Sequence, residues 1–186
     1  MMNKVFKSML GILQAYKDDG PKSPLHVGEV MNCWTAFAIF KEAQVFYSMG
    51  LNTTEDKPLQ KKVKEIFEAS VKDELKLKNF LIKEGVPLPT TSERKPDSRP
   101  STIPLGVKLT DDEIANGISL KLASVNLLCA STISQAVRTD VVLMFLQFQT
   151  HILMFAAELK NLMEQRGWLK TPPYYLPPGN PIKSRS

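Results

Sequence analysis

The chain has 186 residues, with an apolar fraction of 43% and a charged fraction of 23%. That is enough for one domain with a full core, and it excludes wholesale disorder. The net charge of +5 is mild, and the lysines of residues 57–83 alternate with Glu65, Glu68, Asp73 and Glu74, which describes a solvated helix face and not the one-sided basic stripe that nucleic acid requires.

The N-terminal segment, residues 1–24, carries Lys4 and Lys7 ahead of a short apolar run broken by Gly11 and Gln14. It lacks a small-residue cleavage site, so a short amphipathic helix or arm from about Lys4 to Tyr16 is expected in place of a signal peptide. The first long helix is predicted over about 26–50. Val30, Trp34, Phe37, Ala38, Val45 and Met49 form its apolar face, and Gly50 serves as its C-cap. The second is predicted over about 57–84, with Pro58 in its first turn, a stripe through Leu59, Val63, Ile66, Phe67, Leu77 and Leu81, and Gly85 and Pro87 as its stop.

The third helix, about 111–137, opens at a capping box in which Thr110 and Glu113 satisfy one another's backbone amides, with Asp111 and Asp112 suited to the positive helix end. Its stripe is Ile114, Ile118, Leu122, Val125, Cys129, Ile133 and Ala136. The fourth, about 140–166, is capped by Thr139 or Asp140 and ended by Gly167, with Val141, Phe145, Ile152, Ala156, Leu159 and Met163 inward. Its stretch Val141–Ala157 includes Gln147, Gln149, Thr150 and His151, which favours a buried bundle helix over a membrane span. Cys33 and Cys129 lie inside apolar helical runs and read as buried free thiols, since two cysteines in a chain of this length are not a disulfide framework.

Connection lengths choose the topology of this all-α chain, with residues 25–168 forming the bundle. The joints after the first and third helices are short, so each pair is an antiparallel hairpin. The joint at 85–109 carries Pro at 87, 89, 96, 100 and 104. Extended, it could reach about 75 Å, roughly twice the length of a bundle helix. A ferritin-like four-helix bundle with one long crossover between helices two and three is therefore expected, followed by a Pro-rich extended tail at 169–186.

That topology raises the question of a di-metal centre, which needs a Glu from each of two helices and a Glu-x-x-His pair from each of the others. The two histidines, His26 and His151, are preceded at that spacing by Ser23 and Phe148. No such centre, no cofactor and no catalytic residue is expected. Glu74, His151 and Glu158 are the only weak metal candidates; Glu74 reads as a half-buried carboxylate paired with a lysine. His151, Gln147 and Glu158 read as a solvent-facing or interface polar cluster.

Two features are left over. Apolar residues off the main stripes, Cys33, Phe40 and Tyr47 on the first helix and Leu120 and Leu127 on the third, call either for burial under the crossover and tail or for a self-association face. The segment Pro172–Tyr175 matches the Pro-Pro-x-Tyr pattern read by WW domains. A tail lying extended across the bundle, anchored by Tyr174 and Tyr175, is the more economical reading.

Three segments, LHVGEVMNCW, KLTDDEIA and GWLKTPPYYLPPG, together resemble a family of ferritin-like bundles from Bacillus-type spore formers, labelled as spore coat proteins and related to the coat F group. His26, Glu29 and Trp34 match the His, Glu and Trp that open each bundle in that family. The resemblance implies a non-enzymatic structural or sporulation-associated role. Expected partners are a second copy of the chain, as a homodimer, or other coat proteins, and the expected place is the mother-cell cytoplasm or the spore coat. The alternative from another class is a degenerate ferritin-like protein that binds a metal or small ligand in its core for stress protection.

Overall fold

A computed structural model describes residues 11, 20 and 22–175. The arm expected before the bundle falls outside these residues save for Gly11, as does the tail beyond Tyr175. Four helices make up the fold: α1 (Val27–Thr53), α2 (Lys57–Lys83), α3 (Asp111–Gln135) and α4 (Thr139–Arg166), with one 3₁₀ turn at Pro100–Thr102 in the crossover.

Local chemistry accounts for the helix ends. The His26 imidazole Nδ1 accepts from the amides of Gly28 and Glu29 at 3.0 and 3.3 Å, and the Glu29 carboxylate accepts from the His26 amide at 3.0 Å, a capping box built on histidine. Asp56 caps α2 through the Leu59 amide at 2.8 Å. Thr110 and Glu113 form the box expected at α3. α4 ends on Gly167, whose φ of 72° gives the left-handed turn that closes a helix. Two end assignments need correcting. Arg138, and neither Thr139 nor Asp140, occupies the N-cap of α4, and its side chain makes no cap bond. Gly50 lies inside α1, where a Cβ would stand 3.0 Å from Ile114 Cγ2, so this glycine lets α1 approach α3 while the helix runs on to Thr53.

α1 packs on α2 and α3, and α4 packs on α3 and α2. At one end of the bundle Arg138 meets Glu84 and Ser23; at the other Thr54 meets Asp111 and Arg166 meets Asp56. Helices α2 and α3 therefore run parallel on opposite corners, and every packed pair is antiparallel. This is the ferritin-like bundle, and residues 84–110 carry the chain from one end to the other. On the way the Ser92 amide bonds Glu42, Asn52 bonds the Pro96 carbonyl at 2.8 Å and the Ser98 amide at 3.0 Å, and Arg94 lies 4.9 Å over the Phe67 ring. The crossover thus seals the outer groove between α1 and α2.

The core is one cluster: Leu59, Val63, Leu77 and Leu81 from α2, Ile114, Ile118 and Leu122 from α3, and Phe145 and Phe148 from α4. Phe148 makes edge-on contacts with Phe40 and Phe145 at centroid distances of 5.4 and 5.5 Å. The stripes expected on α2, α3 and α4 face this cluster, whereas of the one expected on α1 only Phe37 does. Trp34 is 38% exposed, and the inward face of α1 is Glu29, Cys33, Phe37, Phe40, Gln44, Tyr47 and Ser48. Phe40 and Tyr47, expected as interface residues, are 5% and 3% exposed and belong to the core. α1 is apolar almost all round because the crossover covers its second side, so its sequence holds no clear contrast between faces.

Candidate functional site

Two charged constellations are buried, one at mid-height and one at the end of the bundle, while the neutral Asn52, Thr53 and Thr54 are buried at the other end. At mid-height Asp73 of α2 is 5% exposed, and its carboxylate faces His151 Nδ1 of α4 at 2.9 and 3.1 Å. Burial raises the Asp73 pKa above its ordinary value, and the bond from His151 offsets this only in part. Beside the pair lies a cavity of about 30 Å³ lined by Phe40, Tyr47, Ser70, Asp73, Leu122 and His151. That volume suits one or two waters held by the polar groups, and nothing larger. Gln44 donates to Ser70 at 3.5 Å just above it.

The pair corrects the expected site in two ways. The interior acid is Asp73; Glu74, one residue on and turned about 100° around the helix, is half-buried and pairs with no lysine among the described residues. Gln147 and Glu158 face solvent, whereas His151 turns inward to Asp73. They line the seam between α4 and α2, where Lys76 bonds Gln147 and Lys62 bonds Glu158 at 2.7 Å. A cation at Asp73 and His151 would find two ligating side chains, since no group of three or more His, Cys, Asp or Glu converges among the described residues. Cys129 and Cys33 are buried free thiols, and burial, with the carboxylates of Asp73 and Glu29 respectively adding to it, pushes each up to about 12.

The end constellation is the more heavily bonded one. The Glu29 carboxylate is 1% exposed, yet both its oxygens accept hydrogen bonds. Besides the His26 amide, it accepts from the amides of Val137 and Arg138, both at 2.8 Å, in the turn between α3 and α4. Arg138, 6% exposed, then donates to both oxygens of Glu84 at 2.6 and 2.9 Å, to Asp140 at 2.8 and 3.1 Å and to the Ser23 carbonyl at 3.3 Å, with its guanidinium 5.5 Å over the Phe80 ring. Lys22 adds a bond to Asp140 at 2.6 Å. These pairings hold the Arg138 guanidinium firmly charged. Burial alone would raise the Asp140 carboxyl, but the bonds from Arg138 and Lys22 outweigh it and hold that carboxyl at about 2. The buried groups of this clamp, Glu29 and Arg138, are bonded to other parts of the chain, so it joins helix starts and turns. Sequence reasoning met His26 and Glu29 only as part of a resemblance. The readable signal was the three-residue spacing of a capping box with histidine in the place of Ser or Thr.

The remaining expected residues are exposed. Leu120 and Leu127 of α3 are 70% and 71% accessible, and Tyr174 and Tyr175 are 88% and 82%. The two tyrosines therefore do not anchor the tail on the bundle.

Comparison with known proteins adds lineage to this geometry. Residues 15–180 match a family described as protein of unknown function (DUF3231). The chain is 31% identical over 168 residues to "Uncharacterized protein YvdQ" of Bacillus subtilis (strain 168), covering 90% of this chain and 96% of that one. Among solved structures it is similar to a "putative spore coat protein" of Bacillus halodurans C-125, with a TM-score of 0.80, 32% identity, and coverage of 83% of this chain and 97% of that chain. A DUF305 fragment from Deinococcus radiodurans matches with a TM-score of 0.63 at 12% identity, covering 77% of this chain and 99% of that one, and shares the fold alone.

Proposed function

This chain belongs to the DUF3231 family, and on that premise we propose that it is a non-enzymatic bundle that works by associating with other proteins, in the spore coat or during sporulation. The observation that carries this reading is the likeness, over 83% of this chain, to a protein described as a "putative spore coat protein". The polar interior agrees with it: the end clamp is spent on holding the chain together, and the mid-height cavity of about 30 Å³ admits water but no organic substrate.

The test is to follow a tagged copy through sporulation and to extract the coat of purified spores. A signal in the mother cell that passes into the coat fraction is expected; a protein confined to vegetative cytoplasm would overturn the reading. The Asp73–His151 pair gives the rival, a degenerate ferritin-like metal binder, its one foothold. Near-stoichiometric iron, manganese or zinc in the purified protein, lost in Asp73→Asn and His151→Ala, would replace association with metal binding.

A further inference from the structure

The charges of this bundle are segregated. The outer face of α2 is a lattice of ions, with Lys61 and Lys64 81% and 70% exposed opposite Glu65 and Glu68. On the far side, no charged residue occurs in α3 after Lys121, nor in α4 between Asp140 and Glu158 apart from His151, which faces α2. The outward residues of α3 are Leu120, Ala123, Leu127, Ala130 and Ser134, all exposed, stepping by three and four in turn. Beside them α4 presents Thr150, Leu153 and Ala157. Both helices are long and apolar enough to cross a membrane by length and composition, although only 28% and 33% of their most apolar windows are buried inside the bundle.

We propose that this α3–α4 face is the seat of a second copy of the chain, paired about a twofold axis through α3. The proposal deepens the association reading and rests on it. Three observations select this occupant. First, the alternation of leucine with alanine and serine at heptad spacing is self-complementary. With Leu127 at the axis facing its own copy, Leu120 of one copy opposes Ser134 of the other and Ala123 opposes Ser131, so away from the axis each larger side chain meets a small one and the two helices can approach closely. Second, the uncharged field, about 27 Å by 20 Å or on the order of 550 Å², lies at the upper end of the patches that monomers expose, and with its polar rim it approaches the ~800 Å² that each partner brings to a standard interface. Third, the ionic face of α2 points away from it, so pairing brings no like charges together, and antiparallel α3 dipoles oppose one another favourably. A bilayer surface is the less suited occupant, because the exposed apolar residues here are leucine and methionine, without the aromatic and basic fringe of a helix that lies in a membrane interface.

Sedimentation of the full chain at micromolar concentration tests this. A dimer is expected. Leu127→Glu enters the interface twice and should weaken it by about a hundredfold or more; the helical circular-dichroism spectrum should be unchanged because the side chain is 71% exposed in the single chain, while the melt loses its dependence on protein concentration. Leu127→Cys should cross-link to itself under mild oxidation, because the native thiols are buried and do not compete, while Lys64→Glu on the opposite face should leave the dimer intact. A wild-type monomer, a dimer that survives Leu127→Glu and does not cross-link through Cys at 127, or flotation with neutral lipid vesicles that Leu127→Glu abolishes, would each overturn the proposal. A wild-type monomer that still reaches the spore coat would sink the twofold pairing and leave the association reading standing.

Discussion

Glu29→Ala is the sharpest probe of what holds the bundle shut. The carboxylate is 1% exposed and accepts the amides of Val137 and Arg138 through one oxygen and the amide of His26 through the other. Truncation leaves the buried Arg138 amide without a partner, at about 1–3 kcal/mol, strips the part-buried Val137 amide, at about 1 kcal/mol, and removes half of the α1 capping box, worth about 1 kcal/mol. The expected loss is about 3–5 kcal/mol, which for a domain of this size lowers the melting midpoint by roughly 6–20 °C. Glu29→Gln keeps an oxygen for the two turn amides and turns an amide group toward the His26 N–H, so it should cost only about 1–2 kcal/mol. Urea unfolding followed by circular dichroism measures both, with an unchanged m-value confirming that the native state stays compact. If the two variants fall within about 0.5 kcal/mol of one another, the turn amides do not depend on this carboxylate and the clamp is misread.

Acid should act on the same end of the bundle. Asp140 is held at about 2, below its ordinary 3.8, so its contribution is present above the unfolded value and is lost as the pH falls from about 4 to 2. With the exposure of the carboxylate discounted, that amounts to about 1–2 kcal/mol, and Asp140→Asn should flatten this part of the stability–pH curve. Gly117→Ala would place a Cβ 2.9 Å from Phe46 Cε1 and should cost about 1–3 kcal/mol in thermal unfolding, with Phe46→Leu in the same chain recovering part of it. Cys33 and Cys129, both pushed up to about 12 by burial, should be inert to a thiol reagent at neutral pH and react at full stoichiometry in denaturant; fast labelling of the folded protein would contradict their burial.

The legibility of the fold differed from helix to helix for a physical reason. α2, α3 and α4 each carry an unbroken apolar stripe that faces the core, so Leu59, Ile118 and Phe145 could be placed inward from spacing alone. In α1 the crossover covers what would otherwise be the wet side, while Glu29, Gln44 and Ser48 stand inside. Spacing therefore pointed to Trp34 and away from Phe40. The length and proline content of residues 85–109 were sufficient to read the topology, because only a crossover needs that much extended chain. The polar pair at mid-height was harder. Asp73 and Glu74 are adjacent acids, and which of them faces inward depends on where His151 arrives from a helix 78 residues away. Such a pairing belongs to the packing of α2 on α4 and leaves no trace in either helix alone.

The bonds from Glu29 to Val137 and Arg138 span 108 and 109 residues of chain. Each helical hairpin could form by itself, but neither brings the start of α1 to the bend between α3 and α4. Only the docking of the two halves does so. The amide protons of Val137 and Arg138 are therefore natural reporters of assembly: their exchange with solvent should follow the parting of the hairpins, and not the local fraying that governs an ordinary turn.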